Sequence, residues 1–209
     1  MVDSREHWDN RYSSAPYSDL GWYEEVPEPS LSLILQLLKS KEEVLLLCGA
    51  GATTLVDHLL EHRVKNVMAM DISRKALDLM KVRLGERAAN VRFKAMDVLS
   101  AMDFKEVPEV DVWHDRAVLH FFTEEWQMER YVENLNAVLK VGGYFVAGVF
   151  SQKCKAIMCS GLQIKRYDVG AMKKLLGSKY ELLYNKEELY YMPSGDERQY
   201  LYTVFRRVF

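Results

Sequence analysis

The feature that most constrains this chain is an apolar run, Val44 to Leu47, that ends at Gly49-Ala50-Gly51 and passes at once into a helical pattern through Leu55, Leu59 and Leu60. Glycines lack a Cβ, so the backbone can turn tightly and a ligand can approach it closely. The first N–H groups of the following helix have no intrahelical partner and point at the same space. A strand–turn–helix unit of this kind belongs in an open α/β sheet, where ligands bind beyond the carboxyl ends of the strands.

The rest of the chain repeats the alternation. Short strands are expected at Asn66–Met70, Val91–Ala95, Val110–His114 and Tyr144–Phe150. Helices are expected from Ser30, as cap, to about Leu38, over Thr53–Glu61, over Arg74–Leu84 between a Ser73 cap and a Gly85 stop, and over Val169–Leu176. Thr123 reads as the cap of a long amphipathic helix through Trp126, Met128, Tyr131, Leu135 and Val138, with Trp126 and Tyr131 on its core face and Gly142-Gly143 ending it. Tyr180–Tyr184 and Gln199–Phe205 alternate as half-buried antiparallel strands do, with a turn at Pro193-Ser194-Gly195-Asp196 between them. Strands alternating with helices imply a parallel sheet with right-handed crossovers, to which a terminal hairpin adds antiparallel strands at one edge. The length of 209 residues suits one domain, and no repeat or low-complexity run divides it.

Composition excludes several classes of function. Hydrophobic residues make up 49%, as in globular folds. Lys plus Arg is 28 and Asp plus Glu is 30, a net charge of −2, which argues against general nucleic-acid binding. No apolar run is long enough to span a bilayer, and the polar stretch Met1 to Asn10 is not a secretory signal. Cys48, Cys154 and Cys159 are too few for a disulfide framework and fit no zinc spacing, so no metal is expected. Reduced thiols in the cytoplasm are the simplest expectation; an organelle would require a transit peptide removed from this sequence. The sequence sets no oligomeric state.

Two acidic residues extend the glycine turn into a nucleoside site. Asp71 lies 20 residues after Gly51, at the end of the second strand, where a carboxylate accepts both ribose hydroxyls. Asp97 ends the third strand in "KAMDV", within reach of an adenine amino group. A pyrophosphate binder needs a small residue three positions after the second glycine, and here Thr54 stands there. No phosphate-binding lysine or Walker pattern is nearby. An adenosyl-sulfonium ligand therefore fits better than a dinucleotide.

The elements "LCGAGATTL", "MAMDIS", "KAMDV", "DVWHDRAVLHFF" and "LKVGGYFV" together resemble the class I S-adenosylmethionine-dependent methyltransferases over nearly the whole chain, with Val141 where that family usually has proline. The resemblance implies a Rossmann-like, doubly wound α/β fold: a seven-stranded, mostly parallel sheet with one antiparallel strand near the C-terminal edge. It implies S-adenosylmethionine as cofactor, cradled at Gly49, Ala50 and Gly51. Asp71 and Ile72 would stand at the ribose, Asp97 and Val98 at the adenine, and His114 also beside the cofactor. The aromatic block "HWDNRY…GWYEEVP" resembles a segment that closes over the cofactor in some relatives, so residues 1–29 are expected to form a lid that brings in Trp8 and Tyr12. Leu47 replaces the family's usual acidic residue, which some of its protein-lysine methyltransferases also lack, and Thr53 replaces its frequent third glycine.

The acceptor side is expected around "DVWHDRAVLHFF". Methyl transfer needs an aligned lone pair and excluded water, and a base only where the acceptor is protonated. His114 or Asp115 could be that base, Arg116 could hold an anionic substrate, and Trp22 and Tyr23 would line the substrate side. Against these roles, Asp115 and Arg116 could simply pair with each other, and His120 and Cys159 could be packing residues. A small-molecule acceptor is favoured, because the aromatic lead-in and the tyrosine-rich tail can enclose a pocket. A protein lysine is second, with Glu24, Glu25 and Glu28 available to attract a cation. The rivals are an S-adenosylmethionine-binding protein that lost turnover, motivated by Leu47 and Thr53, and a nicotinamide-dependent oxidoreductase, disfavoured by Thr54.

Overall fold

A computed structural model describes residues 4–100 and 103–209, so residues 1–3 of the expected lid segment lie outside it. The strands are β1 (Val44–Cys48), β2 (Asn66–Asp71), β3 (Val91–Ala95), β4 (Val110–Arg116), β5 (Leu139–Phe150), β6 (Met158–Cys159), β7 (Leu162–Gln163), β8 (Tyr180–Tyr191) and β9 (Glu197–Arg207). The α-helices are α1 (Ser4–Ser13), α2 (Ser30–Leu37), α3 (Leu55–Glu61), α4 (Arg74–Leu84), α5 (Glu125–Val138) and α6 (Val169–Leu176).

Seven strands form one sheet in the order β3-β2-β1-β4-β5-β9-β8. Strands β1 to β5 are mutually parallel, and β9 runs antiparallel between β5 and β8. The expected doubly wound sheet with one reversed strand is therefore present. Strands β6 and β7 form a separate two-stranded ladder. The strand order reverses direction between β1 and β4. Their carboxyl ends diverge there into a crevice, the usual ligand position in such sheets.

Apolar side chains alternate along the strands to feed a core on each face. Leu45 and Leu47 of β1 pack with Ile34 of α2 and Leu55 and Leu59 of α3. Leu46 and Cys48 pack on the other face with Trp113, Tyr131 and Leu135. Full burial of one such leucine stabilises the fold by about 1.5–3 kcal/mol. Both faces of β1 are covered, which is why its sequence is a continuous apolar run rather than an alternation.

Several local expectations need correction. Helix α5 begins one residue later than a Thr123 cap would set it: Glu124 is the cap, with Gln127 completing a capping box. Tyr131 is fully buried, but Trp126 is exposed, so only one of the two aromatics is a core residue. Ser30 is the first residue of α2 rather than its cap, and its hydroxyl is turned inward. Strand β4 runs on past His114 to Arg116, and both strands of the hairpin are longer than their tyrosine alternation indicated.

Candidate functional site

The turn after β1 is fixed by packing as much as by backbone freedom. Gly49 and Gly51 have positive φ, 60° and 55°. A Cβ on Gly49 would lie 1.9 Å from Val118 Cγ2, and one on Gly51 would lie 2.2 Å from the Tyr12 hydroxyl. No other residue fits at either position. Arg83 of α4 holds the far side of the turn, donating to the carbonyl of Ala52 at 2.6 Å while pairing with Asp57 at 2.8 Å.

Asp71, at the end of β2, accepts the Gly51 N–H at 2.7 Å on one carboxylate oxygen and the Ser73 N–H at 2.8 Å on the other. Each oxygen keeps a second lone pair. Burial raises the carboxyl pKa to about 6, against the lowering effect of the two N–H donors. Asp97, after β3, accepts the Leu99 N–H at 2.8 Å. The Val98 carbonyl accepts from the buried Asn134 of α5 at 2.7 Å. The local bonds thus fix both acidic residues in place.

Helix α1 crosses these strand ends. Asp9 anchors it by accepting from the Ser73 hydroxyl at 2.6 Å and the Lys75 N–H at 3.1 Å, at the start of α4. Ser73 itself caps α4, accepting from Ala76 at 3.1 Å. Trp8 packs edge-on against Trp22 and Phe121, and the Trp22 indole N–H donates to the Tyr12 hydroxyl at 3.0 Å. The segment that follows is clasped from two sides. Thr54 donates to the Glu24 carbonyl at 2.7 Å, and Tyr190 of β8 donates to the Tyr23 carbonyl at 2.5 Å.

A cavity of about 460 Å³ opens between α1 and the strand ends. Of the expected site residues, Trp8, Tyr12, Trp22, Gly49, Asp71, Ile72, Asp97, Val98 and Arg116 line it. A second, small cavity of about 60 Å³ lies at the turn, lined by Tyr23, Ala50 and His114 among others. Gly51 lines neither; its contribution is the N–H given to Asp71.

Neither candidate base, His114 or Asp115, lines the large cavity. Asp115 is fully buried and accepts from the Tyr131 hydroxyl at 2.6 Å and from the N–H groups of Val118 and Leu119 at 3.0 and 3.1 Å. Burial raises its pKa to about 6 despite these donors, and it lines neither cavity. It ties the end of β4 to α5 and does not face the large cavity. It does not pair with Arg116 either: successive strand residues point to opposite faces. His114 is held by a 2.8 Å hydrogen bond between Nε2 and the Ser30 hydroxyl. Burial and the nearby Arg116 charge lower its pKa to about 3, so the ring is neutral, and it faces only the small cavity.

Arg116 lines the large cavity but is already engaged. It pairs with Glu24 at 2.9 Å, donates to the Tyr202 hydroxyl and the Trp22 carbonyl at 3.1 Å each, and lies over the rings of Tyr190 and Tyr200. The acidic trio does not form a cation trap on this cavity, since none of the three lines it. Glu24 is bound to Arg116, and Glu28 accepts from Ser32. His120 is fully buried and stacked on Phe150. Leu47 is 1% exposed in β1, beside His114 in the β4 register, and lines the small cavity.

The remaining wall includes residues the sequence reading passed over: Arg11, Phe121, Phe150, Met192, Arg198 and Tyr200, with the β6–β7 ladder from Met158 to Gln163. Cys159 is there, but burial raises its thiol pKa, so it is not an activated nucleophile. Among the described residues, no cluster of His, Cys, Asp or Glu could hold a metal, and no helix is long and apolar enough to cross a membrane.

Residues 45–143, the stretch from β1 into β5 that carries the glycine turn and both strand-end aspartates, match the family described as "Methyltransferase domain". That match covers just under half of the chain, and solved S-adenosylmethionine-dependent methyltransferases share its fold. A curated relative, the eEF1A lysine and N-terminal methyltransferase of Mus musculus, is 24% identical over 148 residues, 68% of this chain and 21% of that protein. This chain therefore spans about a fifth of that relative's length. Two solved structures share the fold. An S-adenosylmethionine-dependent methyltransferase from Anabaena variabilis superposes with a TM-score of 0.78 at 16% identity, covering 99% of this chain and 96% of its own. The 1,6-didemethyltoxoflavin-N1-methyltransferase of Burkholderia thailandensis, solved with 1,6-didemethyltoxoflavin and S-adenosylhomocysteine, has a TM-score of 0.69 at 20% identity and coverages of 100% and 92%.

Proposed function

We propose that this chain methylates a small molecule, and that both cofactor and acceptor occupy the 460 Å³ cavity. The observation that carries this reading is that one cavity joins Gly49, Asp71, Ile72, Asp97 and Val98 to an aromatic wall of Phe121, Phe150 and Tyr200, beside Trp8, Tyr12 and Trp22 of the lead-in segment. A single cavity of this size, with aromatic wall residues beside its charged groups, suits a small acceptor. The Mus musculus relative, an eEF1A lysine and N-terminal methyltransferase, supports the second reading, a protein lysine. The 1,6-didemethyltoxoflavin enzyme supports the first.

S-adenosylmethionine supplies an electrophilic methyl group on a sulfonium sulfur. The residues present fit it. Asp71 has a free lone pair on each oxygen for the two ribose hydroxyls, and Asp97 and Val98 stand at the adenine end. The packing of Tyr12 and Val118 against the two glycines leaves the turn's backbone bare. This chain's work is then to align the acceptor and exclude water, which α1 does by covering the strand ends. No side chain is assigned as base: His114 stays neutral behind the turn, and Asp115 is spent on β4 and α5. The acceptor therefore delivers a nucleophile that is already deprotonated or loses its proton to water. The chain from α1 to β9 serves this one cavity, which supports a single methyltransferase domain. Its three free thiols, two of them buried, support a reducing compartment such as the cytoplasm.

The test is methyl transfer from isotopically labelled S-adenosylmethionine into separated small-molecule and protein fractions. Label is expected in the small-molecule fraction. Label confined to protein lysines would overturn the small-molecule reading, and tight NAD binding without S-adenosylhomocysteine binding would overturn the cofactor sites.

A further inference from the structure

The large cavity carries two guanidinium groups that the fold itself leaves incompletely used. Arg11 projects from α1 and Arg198 from β9, and both line the cavity. The Nε of each is buried without a hydrogen-bond partner. Neither forms an ion pair with any described carboxylate. Arg198 gives one Nη1–H to the carbonyl of Glu197 at 2.8 Å, a bond that leaves most of its donors free. The two side chains line the same cavity as Cys159 of the β6–β7 ladder, and both charges act against the upward shift that burial gives its thiol.

Arg116 differs in having a counter-ion: Glu24 lies 2.9 Å from its Nη2, and the Tyr202 hydroxyl and Trp22 carbonyl accept from Nε and Nη1, although Nη2 itself makes no hydrogen bond. Arg11 and Arg198 have no such arrangement. The only carboxylates on the cavity wall among the described residues are Asp71 and Asp97, both bonded to backbone N–H groups. Both residues are half-buried, each with its Nε closed off from water, and a bound anion would supply the missing partner. Around Cys159 the wall joins Phe150, Met158, Met192 and Tyr200 to the uncharged polar side chains of Ser160 and Gln163.

We propose that the methyl acceptor is a small organic oxyanion, a carboxylate or phosphate ester on an apolar or aromatic body, whose anionic end is held by Arg11 and Arg198. This rests on the proposed function and narrows it. A lysine ammonium would meet two guanidinium groups and no free carboxylate, so the same geometry selects against a cationic acceptor.

The experiment measures binding of benzoate, phenyl phosphate and benzylamine, three probes of one ring with different charge, by ligand-observed NMR. It is done with and without saturating S-adenosylhomocysteine, for the native chain and for R11Q, R198Q and the double variant. At least one of the two anions is expected to bind about tenfold or more tightly than benzylamine, and the double variant to lose that preference. The tighter of the two identifies the headgroup. S-adenosylhomocysteine binding should persist in all variants, which shows that they fold. If benzylamine binds as well as both anions, or if the double variant keeps the preference, the anion pocket is wrong. Failure of S-adenosylhomocysteine to bind the native chain would instead strike the cofactor reading, while the anion arm run without it still decides the pocket.

Discussion

Asp71 and Asp97 reach the cavity from the ends of neighbouring parallel strands, and backbone N–H groups of Gly51, Ser73 and Leu99 hold them. Arg11 and Arg198 reach the same cavity from a helix and a hairpin strand far apart in the sequence, and their Nε atoms are held by nothing. The first set is acidic, wired to the turn and preorganised. The second is basic and awaits a partner. A pocket for a fixed cofactor can be built into the sheet itself, whereas the other wall is assembled from added segments that can change without disturbing the strand ends.

Arg116 is where the two sets meet, and it gives the largest effect. Arg116→Ala leaves Glu24 buried without its cation, at a cost of about 3–5 kcal/mol. Denaturant unfolding should show the loss, with both cofactor and anion binding weakened. A variant of native stability that loses only anion binding would place Arg116 wholly with the second set. Next in size, Asp71→Ala should weaken S-adenosylhomocysteine binding by about 3 kcal/mol, roughly a hundredfold, for two charge-assisted bonds, and leave benzoate binding unchanged. Calorimetry with each ligand sharpens the comparison, and a parallel loss of both would break it.

Smaller again is a pH effect on the cofactor alone. The Asp71 pKa stands near 6 because burial penalises its charge, and only the ionised form accepts from both hydroxyls. Affinity for S-adenosylhomocysteine should therefore be full above that value and fall as pH drops through it, by up to about tenfold per unit. Asp71→Asn should flatten the titration, and a slope that survives it assigns the effect to another group. The smallest change concerns the amino-acid end of the cofactor. Leu47 is apolar and buried, so it offers no acceptor for an ammonium group. 5′-Methylthioadenosine, which lacks that end, should bind within about tenfold of S-adenosylhomocysteine, the nucleoside contacts dominating. A far larger gap would mean that other groups grip the methionine end.

The glycine turn and its two aspartates were legible because a strand–helix–strand unit has nearly fixed length. Counting 20 residues from Gly51 lands on the next strand end. Arg11 and Arg198 were not legible, since nothing in local spacing brings α1 beside β9. That His114 and Asp115 turn away from the large cavity was not legible for a different reason. A motif names residue types, but the alternation along β4 decides which face each side chain meets, and both faces are core. Trp126 was placed on the core face of the helix, but Met128, Tyr131, Leu135 and Val138 fill that face without it, and Trp126 is exposed.

The clasp on the lead-in segment also bears on how the chain is made. Residues 22–24 are secured by Arg116, which follows them by more than ninety positions, and by Tyr190, which comes far later still. Strand β9 must likewise enter between β5 and β8. During synthesis the parallel strands β1 to β5 are complete while the lead-in still lacks Tyr190 and β5 still lacks its neighbour. Such long-range closures come late and are slow to form. The strand ends thus exist as a half-built, uncovered shelf on the ribosome, and the chamber becomes a chamber only when the hairpin docks and draws the lead-in down over it.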